Sequence, residues 1–131
     1  MNDRPAISII IVNWNVRDLL KTNLARLFAL QNGPAIEVIV VDNGSVDGSV
    51  HMLRTDFPLV HRIRNEVNSG FAFACNQGLR VAKGDILLLL NPDMEVPEGV
   101  LSHVVETLST QKDIGVMGIR LAHQDGSPVF S

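Results

Sequence analysis

An acidic side chain directly follows a long apolar run near the middle of this chain. The run from Asp85 to Leu90 ends in Asn91-Pro92-Asp93. An apolar run of this length, bounded by turn-forming residues, predicts a strand that is covered on both faces. Ligands of open α/β sheets bind at the carboxyl ends of strands, and a carboxylate there suits a hard divalent cation. Asp93 is therefore a candidate metal ligand, and the alternative is a turn or helix-capping aspartate.

Two more polar side chains end predicted strands. Asn13 follows the run Ile7 to Val12, and Asp42 follows the run from residue 37 to 41. The carboxyl ends of parallel strands lie at one edge of a sheet, so these side chains are expected near Asp93. Asn13 has both a donor and an acceptor, as a nucleobase edge requires, and Asp42 can accept from an imide N–H or a ribose hydroxyl. Alternatively, Asn13 only ends a strand and Asp42 belongs to an ordinary turn.

The segment from Asn68 to Gly78 is the second candidate for ligand binding. Gly70 and the alanines after it allow a ligand or another backbone to approach closely. Asn68 and Gly70 could present backbone N–H groups to phosphate at a helix amino terminus. Asn76 lies one turn beyond Ala72 on the same helical face. The alternative is tight packing of this helix on the sheet, with Asn76 bonded to backbone groups.

Composition and missing motifs exclude several classes of protein. The net charge is −3 and the charges are scattered, so no basic patch for nucleic acid is present. The single cysteine, Cys75, rules out an internal disulfide framework and is expected in the core. The four histidines lack the spacing of a zinc site. No glycine-rich dinucleotide loop and no Gly-Lys-Ser/Thr phosphate loop occurs.

The amino-terminal segment is polar, and the apolar stretch after it is too short for a signal sequence or a spanning helix. We expect a soluble, cytoplasmic protein and leave open a peripheral contact with a membrane.

Strand-like and helix-like segments alternate along the chain, which predicts one α/β domain over residues 1–131 with a Rossmann-like, mostly parallel sheet and helices on both faces. Asn15 is the predicted N-cap of the first helix, Ser45 or Asp47 that of the second, and Gly84 the C-cap of the third. The predicted strands are 7–12, 37–41, 59–63, 85–90 and 114–121. The predicted helices are 16–28, about 47–57, 71–82 and one that begins near Pro97. A hairpin turn is predicted at 124–127.

These segments, in this order, resemble the family 2 glycosyltransferases of GT-A fold, which are inverting enzymes that use nucleotide-diphosphate sugars. Asn91-Pro92-Asp93 is similar to the Asp-x-Asp metal motif of that family, with Asn91 in place of the first acidic residue. The resemblance implies that Asp93 ligates Mg²⁺ or Mn²⁺ at the diphosphate, and that Asn13 and Asp42 contact the base. The substrate-binding residues implied in this way are Asn13, Asp42, Asn43, Asn68, Gly70, Asn76, Asn91 and Asp93.

The Asn-Pro-Asp form is most similar to the rhamnosyltransferase-like branch, which implies a dTDP- or UDP-sugar donor and a saccharide or lipid-linked acceptor of cell-envelope polysaccharide synthesis. Two other positions depart from the family pattern. Asn43 stands where a second aspartate often follows Asp42, and Cys75 stands where an arginine is common.

The general base of the family follows the metal motif at a distance that this sequence does not reach, and Asp125 lies in a turn. We therefore expect the donor-binding part of a transferase, incomplete at its carboxyl end, with no catalytic base. The alternatives are a noncatalytic nucleotide-binding or assembly module and a related nucleotidyltransferase, although the glycine-rich basic loop of the latter is absent. An exposed sheet edge and apolar surface predict a homo-oligomer.

Overall fold

The apolar, β-branched runs of the sequence form a parallel sheet, and the segments between them form helices. The computed structural model describes residues 3–129, and the bounds below apply to that range. In chain order the elements are β1 Ile7–Asn13, α1 Arg17–Ala29, β2 Ile36–Asn43, α2 Ser49–Asp56, β3 His61–Asn65, α3 Phe71–Val81, β4 Ile86–Leu89 and α4 Val100–Thr110.

The strands are all parallel and lie in the order β3-β2-β1-β4. β1 and β2 are central, with Ile7 opposite Ile36, while β4 pairs only with the other side of β1. Parallel neighbours need a crossover connection, which the helices supply. This order places the carboxyl ends of β1, β2 and β3 side by side.

Alternate side chains of the central strands pack against helices on opposite faces of the sheet. On one face Ile7, Ile9 and Ile11 contact buried residues of α1, α2 and α4. On the other face Ile10 and its neighbours contact Ala74 of α3. The predicted α/β class with helices on both faces is confirmed. In the part of the chain that the structure describes, no helix has both the length and the apolar character needed to cross a bilayer.

Three strand predictions need correction. The run that ends before Asp93 is not covered on both faces, because β4 is an edge strand and Leu87 and Leu89 are 50% and 51% exposed. The third strand lies two residues later than predicted, because Val60 N–H bonds the Phe57 carbonyl in the turn after α2. Residues 114–121 form no strand, and the nearest pairing is one bridge between Ala122 and Pro128 across the predicted hairpin turn.

The predicted helix caps are also partly wrong. Asn15 adopts a left-handed φ of 54° one residue before the N-cap position, and its side-chain oxygen accepts from Val46 N–H. Gly84 is not a C-cap, since Ala82 takes that position. Gly84 is small for another reason: a Cβ there would lie 2.6 Å from the Ser8 backbone nitrogen.

The remaining helix predictions are close in position. The N-cap position of α2 belongs to Gly48, and Asp47 instead accepts from Ser49 N–H within the first turn. α4 begins at Val100 rather than at Pro97. In α1 the buried face consists of Leu20, Leu24 and Leu27, while Leu19 and Phe28 are substantially exposed.

Candidate functional site

The carboxyl edge of the sheet brings together polar side chains from four elements. Asn13 pairs in register with Asp42, and Asn43 pairs with Asn65 at the ends of β2 and β3. Leu89 at the end of β4 pairs with Ile10, so the Asn91-Pro92-Asp93 segment emerges at this same edge. The sequence predicted this convergence, and the parallel register produces it.

Asn13 and Asp42 form a buried pair on the α1 side of the sheet. Asn13 is 0% and Asp42 2% exposed, and Asn13 Nδ2 donates to Asp42 Oδ1 at 2.9 Å. The other carboxylate oxygen accepts from Ser45 N–H at 2.9 Å, and Ser45 Oγ lies 3.3 Å from Asn13 Nδ2. These contacts fix the turn after β2. Asn13 Oδ1 is left as a buried acceptor without a partner among residues 3–129.

Asn43 faces the opposite side of the sheet and is the centre of a second hydrogen-bonded group. Its Nδ2 donates to Asn68 Oδ1 at 2.9 Å and to the Gly70 carbonyl at 3.3 Å. Its Oδ1 accepts from Ser69 N–H at 3.0 Å and from Asn65 Nδ2 at 3.2 Å. Asn43 is 2% exposed. The end of β2 is thus bonded to the whole loop that leads into α3.

A cleft of about 380 Å³ opens at this edge. Four of the predicted substrate-binding residues line it, namely Asn43, Asn68, Asn91 and Asp93. The half-exposed ring of Trp14 forms part of the wall. The full lining is Val12, Trp14, Val16, Leu19, Asn43, Asn68, Phe71, Asn91, Pro92 and Asp93.

The other predicted residues lie outside this lining. Asn13 and Asp42 are buried beneath the turn at Ser45, on the face of the sheet that packs against α1. Gly70 and Asn76 are exposed, at the start and along the outer surface of α3, and neither lines the cleft.

Asp93 and Asn91 are the two cleft residues that could hold a cation. Both are exposed, and neither side chain is bonded within the described residues. Residues 3–129 contain no group of three or more His, Cys, Asp or Glu side chains close enough to enclose a metal ion. One carboxylate and one amide oxygen suit a hard cation that completes its shell with water and phosphate oxygens. They do not suit an ion held by protein ligands alone.

The amino termini of α1 and α2 meet at one carboxylate, that of Asp47. It accepts from Arg17 N–H at 2.9 Å and from Ser49 N–H at 3.0 Å. Partial burial raises the pKa of Asp47, but the bonds from the Ser49 side chain and from these backbone N–H groups outweigh it and hold the pKa below its usual value. Asp47 is therefore an internal helix-terminal anion that stabilises the loop beside the site.

Sequence reasoning missed Ser45, Asn65, Ser69 and Gln77, all of which position the site. Asn65 was missed because the third strand was placed two residues too early, so its end fell on Ile63. Gln77 exchanges two hydrogen bonds with Asn65, at 2.7 and 2.9 Å, across α3 and β3. Helical spacing does not reveal such a contact.

Cys75 is buried as predicted, and burial raises the pKa of its thiol.

Solved structures share this arrangement of strands and helices. A mannosyltransferase from Pyrobaculum calidifontis, in complex with GDP-Man and Mn²⁺, superposes with a TM-score of 0.69 at 25% identity, over 81% of this chain and 33% of that one. Residues 1–349 of TarS from S. aureus give a TM-score of 0.70 at 22% identity, over 79% and 32% of the two chains. The chain has the Rossmann-like fold of GT-A glycosyltransferases.

Sequence relatives agree with the structural likeness. The uncharacterized glycosyltransferase YfnE of Bacillus subtilis is 35% identical over 115 residues, which cover 86% of this chain and 29% of the relative. The putative teichuronic acid biosynthesis glycosyltransferase TuaG of the same organism is 29% identical over 98% of this chain and 52% of its own length. The dolichol-phosphate mannosyltransferase of Pyrococcus furiosus is 27% identical over 84% and 32%.

The chain thus spans between about a third and a half of the length of these relatives. The family model described as glycosyl transferase family 2 matches residues 8–130, nearly the whole sequence. The chain therefore belongs to glycosyl transferase family 2.

Proposed function

We propose that this chain is the donor-binding part of an inverting glycosyltransferase that takes a sugar from a nucleotide diphosphate with the help of Mg²⁺ or Mn²⁺. One observation carries the proposal: the half-exposed Trp14 ring, the Asn68 amide and the Asp93 carboxylate line a single cleft at the carboxyl edge of the sheet. A mannosyltransferase of the same fold binds GDP-Man and Mn²⁺.

The cleft has the size and the lining that a nucleotide needs. Its volume of about 380 Å³ lies within the range of small-molecule sites. Trp14 and Phe71 are 55% and 59% exposed, so both rings are available to stack on a base. A ligand that covers these rings removes apolar surface from water, which favours binding.

Asp93 would be the metal ligand, with Asn91 as a neutral second oxygen donor. The metal, when bound, would neutralise charge on the diphosphate as it leaves. Because Asn91 replaces an acidic residue, the protein supplies one negative charge rather than two from this motif. We therefore expect metal affinity to depend strongly on the nucleotide phosphates.

The proposed reaction is an in-line displacement at the anomeric carbon. A new bond forms from the acceptor hydroxyl oxygen, and the bond to the diphosphate oxygen breaks, its electron pair leaving with the nucleoside diphosphate. The hydroxyl proton passes to a general base. Asp93 is the acidic side chain in the cleft lining, and we assign it to the metal. We place the base outside this sequence, and Asp125 is bonded within its own turn.

We further propose a dTDP- or UDP-sugar as donor, as in the rhamnosyltransferase-like branch, and a saccharide or lipid-linked acceptor in a cytoplasmic step of cell-envelope polysaccharide synthesis. The teichuronic acid name of TuaG supports the kind of acceptor. Asn13 Oδ1, a buried acceptor without a partner in the described part of the chain, supports a contact with a ligand N–H, provided that the turn at Ser45 moves.

The single tryptophan makes nucleotide binding directly measurable. UDP, dTDP and GDP are titrated with and without Mn²⁺, following Trp14 fluorescence and, in parallel, heat by calorimetry. We expect at least one nucleotide to quench Trp14 and to bind at least tenfold more tightly with Mn²⁺. A folded chain that binds none of the three with Mn²⁺ present contradicts the proposal.

Asp93→Asn separates the metal from the rest of the site. This variant keeps the shape of the side chain and removes its charge, so we expect the Mn²⁺ effect to disappear while metal-free binding stays within about threefold. Asp113→Asn is the matched control, because Asp113 is exposed and lies outside the cleft. An unchanged Mn²⁺ effect in Asp93→Asn rules out this metal ligand.

A further inference from the structure

We infer that Asn43 is a positioning residue that sets which atom of Asn68 faces the nucleotide. The inference rests on the proposed function and concerns the same cleft. It predicts that the part of the cleft wall formed by Asn68 binds an acceptor oxygen of the ligand rather than a ligand N–H group.

Asn43 has no hydrogen-bonding capacity left for a ligand. A side-chain amide offers two N–H donors and one oxygen with two acceptor positions. Both donors are used, on Asn68 Oδ1 and on the Gly70 carbonyl. Both acceptor positions are used, by Ser69 N–H and by Asn65 Nδ2. Its contribution to binding must therefore pass through its neighbours.

Backbone groups fix the direction of both amides. Ser69 N–H can only donate and the Gly70 carbonyl can only accept, so the oxygen and nitrogen of Asn43 have one possible orientation. Asn68 Oδ1 receives both Asn43 Nδ2 and Gly70 N–H, the latter at 2.9 Å. The oxygen of Asn68 is thus fully used within the protein.

Asn68 Nδ2 is the part of this amide that remains available. It has no hydrogen-bond partner among residues 3–129, and Asn68 is exposed in the cleft wall. An N–H pair in this position can only donate. The matching ligand atom is therefore an acceptor oxygen, either a base carbonyl or a diphosphate oxygen.

Gln77 holds this arrangement in place from α3. It exchanges hydrogen bonds with Asn65, which in turn donates to Asn43. The end of β2, β3, α3 and the loop before α3 are therefore bonded together around Asn43. The orientation of Asn68 is set before a ligand arrives, which lowers the entropic cost of binding.

A double-mutant cycle on the 131-residue chain tests the inference. Asn43→Ala, Asn68→Ala and the double variant are titrated with the nucleotide that binds the unmodified chain best, in Mn²⁺. Each single variant should weaken binding about three- to tenfold, the equivalent of one neutral hydrogen bond. If Asn43 acts through Asn68, the double variant should bind as Asn68→Ala does. The control Asp113→Asn, at an exposed residue outside the cleft, should stay within about twofold.

Amide hydrogen exchange supplies a readout that needs no ligand. Asn43→Ala should speed exchange at Ser69 and Gly70, because the first loses its acceptor and the second loses the partner that orients Asn68. Circular dichroism shows whether Asn43→Ala folds. If it does not, exchange at Ser69 and Gly70 is measured in the milder variant Asn43→Ser instead.

Inorganic pyrophosphate with Mn²⁺ distinguishes the two sources of the oxygen. Weaker pyrophosphate binding in Asn68→Ala assigns the contact to a phosphate oxygen, and an effect confined to the nucleotide assigns it to a base carbonyl. Additive losses in the double variant, or unchanged exchange at both amides, overturn the inference while nucleotide binding stands. No binding by the unmodified chain overturns the proposed function, and this inference with it.

Discussion

Replacing Gly44 by alanine should disturb both the stability of the chain and its cleft. The loss of unfolding free energy has two parts, backbone strain and overpacking. Gly44 has φ +84°, which a side chain rarely adopts. A Cβ at this position would also lie 2.9 Å from the Cα and carbonyl carbon of Val67 and 3.1 Å from Asn68 N. These are backbone atoms of the loop that carries Asn68, so they can move away only if the whole loop moves.

Gly99 isolates the first part. It has the same φ of +84°, and nothing lies within 4 Å of its added Cβ. Gly99→Ala should therefore lose only the strain of the left-handed backbone, about 1–2 kcal/mol of unfolding free energy. Gly44→Ala should lose that amount and a further amount of about 1–3 kcal/mol from overpacking.

Thermal unfolding followed by circular dichroism measures the difference. At about 4 °C per kcal/mol for a chain of this size, the melting temperature of Gly44→Ala should lie roughly 4–12 °C below that of Gly99→Ala. Nucleotide binding, read by Trp14 fluorescence, should weaken in Gly44→Ala and not in Gly99→Ala, because the loop with Asn68 is displaced only in the first. Equal stability losses, or equal binding, in the two variants would refute the reasoning.

Two further predictions concern pH and association. Partial burial raises the pKa of Glu37, but bonds from Ser8 Oγ–H and from the backbone N–H groups of Lys83 and Gly84 outweigh it and hold the pKa below its reference value of 4.5. A carboxyl whose folded-state pKa is depressed stabilises the fold above the unfolded pKa, and this contribution is lost as pH falls through the folded value. The stability advantage of the unmodified chain over Glu37→Gln should therefore shrink below pH 4.5 in urea titrations, with a substitution at the exposed Glu106, Glu106→Gln, measured in parallel. Leu87 and Leu89 are half exposed on β4, whose outer edge is unpaired within residues 3–129, so we expect a homo-oligomer at high concentration. The double variant Leu87→Lys, Leu89→Lys should lower the mass found by light scattering. A monomeric unmodified chain would contradict this expectation.

The central part of the fold could be predicted because its signals are local. β1 and β2 are β-branched runs, and α3 lies within one residue of its predicted bounds. The edge elements could not be predicted in the same way. Leu87 and Leu89 read as buried from their apolar neighbours, yet burial depends on how many strands and helices flank β4, which a run of leucines does not encode.

The candidate site, like the fold, could be predicted only in part. Strand-end reasoning placed Asp93 at this edge, the helix-terminus argument added Asn68, and the family resemblance added Asn43 and Asn91; all four line the cleft. It could not separate residues that face the cleft from those that face away. Asn13 and Asp42 end their strands at the right height, but the alternation of side chains along a strand directs them to the α1 side, under Ser45.

The hydrogen bonds that a side chain already makes separate the residues that can bind a ligand from those that cannot more clearly than its position at a strand end does. Asp42 and Asn43 are neighbours at the end of β2, both 2% exposed, and each is bonded to a loop on its own side of the sheet. Asn43 therefore shapes a wall of the cleft through the loop before α3, whereas Asp42 fixes the turn at Ser45, which lies outside the lining. Within residues 3–129, the side-chain groups without a partner include Asn68 Nδ2, the Asn91 amide and the Asp93 carboxylate in the cleft, and Asn13 Oδ1 below it. A ligand bound through these groups should offer acceptors to the amide N–H groups of Asn68 and Asn91, and donors or a cation to the oxygens.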